Sequence, residues 1–368
     1  MPGNKRQHFV PRFLLERFAL REGRWQGHLF RIETGGGPAR PAVPRTEAAK
    51  NRYYDLPEEL VGEFQPEALL AKIESGAAAA LARLERGSAP EQEDLPNLAY
   101  FVALQVSRTP QDRAERRFLD SFMAGQMEEL RFSAREQAVA FLRKQRPELS
   151  EEEAEAARLE ILHDLNAGRL VFESSAEREV ASMFLSLNES VEQLLSQCDF
   201  TLVQITGSVE LVLPDTGYTR YDPHPRVPGT GSGFLGTETV ETVIPLSPGS
   251  ALVVTRGSGR LGYGEAGPEY AEDLNLRAWV QAAVCVYGRG QGAVVAARVL
   301  ARRRRADLAA RERRPFTMWI LEHGEGDPQG GPVLGKGYSV EGVREEWFEV
   351  DASAHQGRRP IRPEDLWP

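Results

Sequence analysis

A change of pattern at Cys198 limits the folds open to this chain. From Gln65 to Gln197, apolar residues recur at the three- and four-residue spacing typical of helices with one buried face. After Cys198, short apolar runs alternate with stretches rich in Gly, Pro and Ser, which indicates strands and turns, and two helices follow before the last strands. Separate runs of helices and strands favour an α+β fold over a doubly wound parallel sheet.

The same change of pattern predicts how the chain divides. Residues 1–197 are a helix-rich part, and residues 198–350 are a smaller, mostly antiparallel β region with two late helices. We expect these two parts to pack as one continuous globule. Residues 351–368 are a tail rich in Pro and Arg, and we expect it to be poorly packed.

Local signals predict where several elements begin and end. Ser133 and Ser150 are each followed three residues later by Glu, the pattern of a helix capping box. Single helices are predicted over 176–197 and over 269–287. Two strands, 200–206 and 209–213, flank a Gly-Ser pair and therefore predict a hairpin. The G-x-G-x-x-G sequence at 257–262 does not open a helix at once, so a hairpin turn is favoured over a dinucleotide site.

Charge and apolar content restrict the partners. The net charge is −9 and the pI about 5.4, which argues against bulk attraction to nucleic acid or to anionic membranes. No stretch approaches the ~20 apolar residues of a membrane-spanning helix, and the first residues lack the apolar run of a signal peptide. The two cysteines, Cys198 and Cys285, are far apart in the sequence. We therefore expect a reduced, soluble, cytoplasmic protein.

The N-terminal segment Gln7–Ala19 is dense in large apolar residues at helical spacing. Pro11 suits the first position of a helix, where a missing N–H costs nothing. His8 then precedes the helix, near the positive end of its dipole, which favours the neutral imidazole. We expect this helix to lie between the helical segment and the β-rich half, anchored by its phenylalanines.

Motifs for cofactors and metals are not evident. The six histidines are scattered without a metal-binding spacing, and neither a Walker A sequence nor a G-x-S-x-G elbow occurs. From Arg298 to Arg314 there are eight arginines and two acidic residues, and Arg298, Arg302 and Arg305 share one helix face. This run could bind nucleic acid or another phosphate ligand, or it could pair with the Glu-rich helices of the protein itself.

The sequence from His8 to Phe18 resembles the N-terminal signature of the domain of unknown function 4238 family, a mainly bacterial and uncharacterised family. Further matches follow in the family's order, at Asn51–Asp55, Arg108–Pro110 with Arg113, Leu213–Asp215, Pro245–Pro248 and the segment from Leu274 to Tyr287. The resemblance covers roughly residues 4–300. The family's Ser-Asp-Asn-Pro element is reduced here to 214–217, which keeps only Asp215 of those four residues.

The matched polar residues give two hypotheses. In the first, His8, Arg108 and Asp215 have a structural or ligand-binding role, with Arg108 paired to Asp215. In the second, these three are catalytic, because a neutral His beside a carboxylate can act as a general base and an Arg can hold a phosphate. The binding candidates are Arg12, Asn275, Arg298, Arg302 and Arg305. The second hypothesis predicts a nuclease or another phosphate-directed enzyme, for example in phage defence, and the sequence leaves open whether the protein is an enzyme.

Overall fold

The structure is a computed structural model that describes residues 6–56, 65–166, 169–170, 172, 176–222, 239–308, 311, 318–321, 331–339, 342–350 and 358–361. The chain forms two compact units. One contains Met1–Arg113 and Val180–Pro368, and the other contains Ala114–Glu179. Helices and mostly antiparallel sheets occupy separate stretches, so the predicted α+β class is confirmed. The predicted boundaries at residues 197 and 350 stay predictions.

The described helices follow the apolar periodicity of the sequence. They are α1 (Arg12–Arg17), α2 (Pro66–Leu84), α3 (Asp94–Ser107), α4 (Pro110–Ser133), α5 (Arg135–Gln145), α6 (Glu151–Asn166), α7 (Ala176–Leu185), α8 (Leu187–Gln197), α9 (Pro268–Gln281), α10 (Gln291–Arg303) and α11 (Arg305–Leu308).

Helix ends test the predicted caps. Ser150 and Glu153 form the predicted capping box, because the Ser150 N–H donates to Glu153 Oε2 (2.8 Å) and the Glu153 N–H donates to Ser150 Oγ (3.2 Å). The prediction for Ser133 is wrong, since α4 runs through Ser133 and α5 begins after Ala134 without a side-chain cap. The single helix predicted over 176–197 is interrupted at Ser186, whose hydroxyl donates to the Ser182 carbonyl (3.0 Å). The Ser186 N–H also donates to that carbonyl (3.0 Å), so the backbone ladder is kept there, and back-bonding of this kind often bends a helix.

The described strands are β1 (Arg6–His8), β2 (Leu29–Glu33), β3 (Arg40–Ala42), β4 (Ala49–Asn51), β5 (Cys198–Ile205), β6 (Leu213–Pro214), β7 (Thr219–Tyr221), β8 (Glu241–Ser247), β9 (Ser250–Arg256), β10 (Leu261–Ala266), β11 (Cys285–Gly288), β12 (Met318–Leu321), β13 (Gly331–Ser339), β14 (Gly342–Val350) and β15 (Arg358–Ile361). They form sheets in the orders β1-β4, β10-β5-β9-β8-β7, β3-β2-β11-β6 and β12-β13-β14-β15.

The predicted hairpin over 200–213 is wrong. Strand β5 pairs with β9 and β10, whereas β6 belongs to another sheet and pairs with β11. The segment before β6 is held by Asn275, whose side chain accepts from the Val212 N–H and donates to the Glu210 carbonyl, both at 2.9 Å. These backbone groups are therefore engaged by a side chain of α9 rather than by a neighbouring strand.

The late helix and the glycine-rich turn also differ from the prediction. Helix α9 ends at Gln281, and Val286 and Tyr287 lie in β11, paired with β2. Strands β9 and β10 do not pair with each other, because β5 lies between them. The connection between them crosses the start of β5, and the Ser258 N–H donates to the Asp199 carboxylate (2.9 Å). A Cβ at Gly257 would lie 2.2 Å from Asp199 Cγ, so only glycine fits there.

The main core of the first unit joins α1 to its neighbours. Leu14 and Phe18 are fully buried in a cluster that contains Phe101 of α3 and Leu246 of β8. Phe13 contacts the Phe101 ring with centroids 5.6 Å apart. Helix α1 therefore lies between helices and the β5 sheet, and burying a Leu or Phe side chain contributes about 1.5–3 kcal/mol.

Candidate functional site

The segment that carries His8 is held by a short two-stranded sheet. In this sheet β1 pairs with β4, and His8 lies opposite Ala49. Ala48 and Arg52, which flank β4, have φ values of 46° and 53°. Such left-handed conformations cost a non-glycine residue about 1–3 kcal/mol and cluster at functional sites. This backbone strain makes the surroundings of His8 the first candidate site.

The His8 side chain is half-buried and has one ring nitrogen without a partner among the described residues. Its Nε2 lies 3.3 Å from the Pro44 carbonyl oxygen, and because a carbonyl only accepts, Nε2 carries the proton. Nδ1 makes no hydrogen bond within the described residues and is not sealed from solvent. Burial lowers the pKa of His8 below 6.5, although the bond to Pro44 and the charge of Glu74 oppose this shift. His8 is therefore a neutral acceptor at pH 7.

Arg108, which lies at the end of α3, is 0% exposed. Its Nε and Nη2 donate to Gln105 Oε1 at 3.0 and 2.7 Å, and its Nη1 donates to Glu74 Oε1 at 2.7 Å. The Glu74 side chain is 25% exposed, so this carboxylate links the buried guanidinium to the surface. The charges of Glu74 and Arg108 both act on His8. We call His8, Glu74, Gln105 and Arg108 the His8 cluster.

Gln105 ties the His8 cluster to the β-rich half of the unit. Its Nε2 donates to the Phe9 carbonyl (3.2 Å) and to the Thr216 carbonyl (3.0 Å). Gly217, in the same turn, has φ 76°, and a Cβ there would lie 2.4 Å from Gln105 Nε2. A residue with a Cβ does not fit at position 217, so glycine is required there. In the family element that this turn resembles, the corresponding position holds proline.

Asp215 precedes that turn, but its carboxylate points elsewhere. It is 7% exposed and accepts from the N–H groups of Ala283 (2.7 Å), Val284 (2.8 Å) and Cys285 (3.2 Å). Burial raises the pKa of Asp215, while these donors and the charge of Arg31 oppose the shift. Asp215 fixes the segment between α9 and β11. The predicted pairing of Arg108 with Asp215 is wrong, because Arg108 pairs with Glu74.

The predicted binding residues do not gather at the His8 cluster. Arg12 is exposed and pairs with Glu16 at 2.7 Å, although its charge also reaches His8. Asn275 is buried and makes the two hydrogen bonds to the segment before β6 that are described above. The structure thus brings together His8 and Arg108, places Arg12 beside them, and puts Asn275 in another part of the unit.

The predicted arginine run is divided between internal pairing and solvent. Arg298 donates to the Gly37 carbonyl (2.8 Å), and Arg311 pairs with Asp273 (2.6 Å). Arg302 and Arg305 are exposed and make no ion pair within the described residues. Residues 313 and 314 of the run lie outside the part of the chain that the structure describes.

Glu74 and Gln105 are the members of the His8 cluster that sequence reasoning missed. Gln105 carries a weak signal, since it is a polar residue between apolar neighbours and lies three positions before Arg108, on the same helix face. Glu74 carries none, because it reads as one more charged residue of α2. Its partner lies 34 residues away, and only the tertiary fold brings them together.

The described residues contain neither a metal-binding cluster nor a membrane-spanning helix. There, no group of three or more His, Cys, Asp or Glu side chains could hold a metal ion. Cys198 and Cys285 are free and buried, and burial raises the pKa of Cys285 to about 12. In the same part of the chain, no helix has the length and apolar character needed to cross a membrane.

Comparison with known proteins agrees with the N-terminal signature. The family described as protein of unknown function (DUF4238) matches residues 6–291, which contain the His8 cluster, Asp215 and Asn275. Nothing among the curated proteins and nothing among the solved structures matches significantly. Because the family match spans well over half of the sequence, the chain belongs to the DUF4238 family.

Proposed function

We propose that the chain is a non-enzymatic ligand-binding protein in which His8 and Glu74 face the ligand. Arg108 and Asp215 would then hold the shape of the site. The observation that carries this proposal is the burial of Arg108, whose three nitrogens each donate to Gln105 or Glu74. An arginine in this position has no access to a phosphate in solution, whereas it orients the Glu74 carboxylate that lies at the surface.

The class of ligand follows from the groups that reach solvent. The Nδ1 of neutral His8 and the carboxylate of Glu74 are both hydrogen-bond acceptors. Arg12, the nearby cation, is engaged by Glu16. Acceptors favour a ligand rich in donors, such as a polyhydroxy or amino compound, over an anionic one. The strained residues Ala48 and Arg52 would hold the His8 strand in the geometry that binding needs.

The test is a thermal-shift and calorimetric titration of the full chain with a defined set of monosaccharides and polyamines. We expect at least one compound to stabilise the wild type and to bind His8→Ala more weakly. His163→Ala is the matched control, since His163 is an exposed histidine on α6 and should leave binding unchanged. Binding that is equal in His8→Ala and the wild type, or absent for every compound, would overturn this assignment.

A phosphate-directed enzyme, such as a nuclease in phage defence, is the second candidate. It is favoured by Arg302 and Arg305, which are exposed and make no ion pair within the described residues. Labelled RNA and DNA would be incubated with the wild type and with His8→Ala. Cleavage by the wild type alone would replace the non-enzymatic proposal by this one, and we expect no cleavage by either.

We also infer a cytoplasmic location for this protein. The two cysteines of the chain, Cys198 and Cys285, are free thiols in the interior of the unit. Reduced thiols are typical of proteins in the cytosol, where disulfides are rare. Fractionation of cells that produce the protein from its own gene tests this location, and recovery in a secreted or membrane fraction would contradict it.

A further inference from the structure

A pocket of about 330 Å³ lies in the first unit between α9, α10 and the segment 208–210. Its size is at the lower end of the range for small-molecule sites. Helix α10 presents small side chains such as Ala293 and Ala296 to it, which leaves the space open, and Leu300 adds an apolar surface. None of the residues that line it belongs to the His8 cluster.

Asn275 gives this pocket a hydrogen-bond donor. Its side chain is 4% exposed, lines the pocket, and uses one N–H for the Glu210 carbonyl. A carboxamide has two N–H groups, and the second has no partner within the described residues. Buried donors in folded proteins are nearly always paired. Because Asn275 lines the pocket, the remaining N–H is available to an acceptor on a bound compound.

Two carboxylates give the pocket its charge. Glu272 makes no ion pair within the described residues, although it lines the pocket from α9. Glu210 has Arg289 as its partner at 3.6 Å, and both side chains are about 40% exposed, so that this pair is weak. The pocket is therefore negatively charged on the side of α9 and the 208–210 segment, and apolar on the side of α10.

We propose that this pocket binds a small compound with a primary ammonium group, a short aliphatic body and a carbonyl acceptor. The ammonium group pairs with Glu272 and Glu210, and the carbonyl accepts from the second N–H of Asn275. The aliphatic body packs on Ala293, Ala296 and Leu300. This assignment is independent of the proposed function of the His8 cluster, because it uses other residues.

The experiment compares two probes, one with a free ammonium group and one in which acetylation removes its charge. Leucinamide is mostly cationic at about pH 6.5, since α-amino groups titrate near 8, whereas N-acetyl-leucinamide is neutral. Calorimetric titration of the full chain should show binding of leucinamide and none of the acetylated compound. Equal binding of both probes, or no binding of leucinamide, would overturn the proposal.

Variants test whether leucinamide binds in this pocket. Glu272→Gln should weaken leucinamide binding about tenfold, because one charge-assisted hydrogen bond is lost. Gly292→Leu should abolish it, since Gly292 lines the pocket and a Cβ there meets open space, so the variant can fold. Glu269→Gln, an exposed residue of the same helix outside the pocket, should bind as the wild type does, and so should His8→Ala. Unchanged binding in both pocket variants would overturn the assignment.

Discussion

Arginine has opposite roles in the His8 cluster and at the junction of α10 and α11. Arg108 is fully buried and each of its nitrogens is hydrogen-bonded, while Arg302 and Arg305 are exposed without an ion pair in the described part of the chain. In the sequence, the run of arginines is the stronger signal and Arg108 is a single residue. The structure reverses this order, because a charge taken out of water must be compensated by its neighbours, whereas an exposed charge is solvated and screened.

The largest effect is expected for Arg108→Met. Removing the guanidinium ends its hydrogen bonds to the buried Gln105 side chain and to the partly exposed Glu74 carboxylate, and because a hydrogen bond to a charged group contributes about 1.5–3 kcal/mol, we expect a total cost of about 3 kcal/mol. The free energy of unfolding, measured by urea denaturation of the full chain, should fall by that amount. Arg108→Lys keeps the charge but loses the fork geometry, so its loss should be intermediate. A loss below about 1 kcal/mol for Arg108→Met would show that the hydrogen bonds of Arg108 do not stabilise the fold.

Asp215→Asn tests whether a second buried charge, outside the His8 cluster, also stabilises the fold through its hydrogen bonds. An amide group replaces one of the oxygens that accept from the backbone N–H groups of residues 283–285. Losing a hydrogen bond to a charged group should lower the free energy of unfolding by about 1.5–3 kcal/mol. Glu265→Gln, an exposed change of the same kind on β10, is the control and should be neutral. Equal stability of the two variants would show that the hydrogen bonds of Asp215 do not stabilise the fold.

His8 should make stability depend on pH, and the exposed arginines should not. Burial lowers the pKa of His8 below 6.5, so the unfolded chain binds the proton more readily than the folded one. The stabilising contribution of neutral His8 is therefore present above pH 6.5 and is lost as the pH falls below it. The wild type should lose stability relative to His8→Gln between about pH 7.5 and about pH 5, measured by urea midpoints. A constant difference would mean that the pKa of His8 is not lowered.

The smallest effect is expected for Arg302→Met and Arg305→Met. Exposed side chains such as these, which make no ion pair within the described residues, change the free energy of unfolding by no more than about 0.5 kcal/mol on substitution. The same urea experiment measures both variants beside Arg108→Met, which has the same change in residue type. A loss above about 1 kcal/mol in either exposed variant would show that exposed arginines stabilise this fold as the buried Arg108 does.

Local patterns predicted part of the candidate site. The spacing of apolar residues placed α1 after His8, and the signature identified Arg108 and Asp215 as candidate site residues. The roles of these residues did not follow from it. Arg108 pairs with Glu74 across 34 residues, and Asp215 bonds to backbone groups about 70 residues away. Contacts across such distances in the sequence depend on the tertiary packing, which no local spacing reveals.

The sequence by itself determined the helical character of the first half, the Ser150 capping box, the α+β class and the family. These depend on neighbours within a turn of helix, or on motifs in a fixed order. Only the tertiary structure decided that β6 pairs with β11, that the glycine-rich connection crosses β5, and that Arg108 is buried. The physical reason is that strand pairing and charge burial both depend on groups that are far apart in the sequence. These groups compete for the same hydrogen-bond donors and the same interior space once the chain has folded.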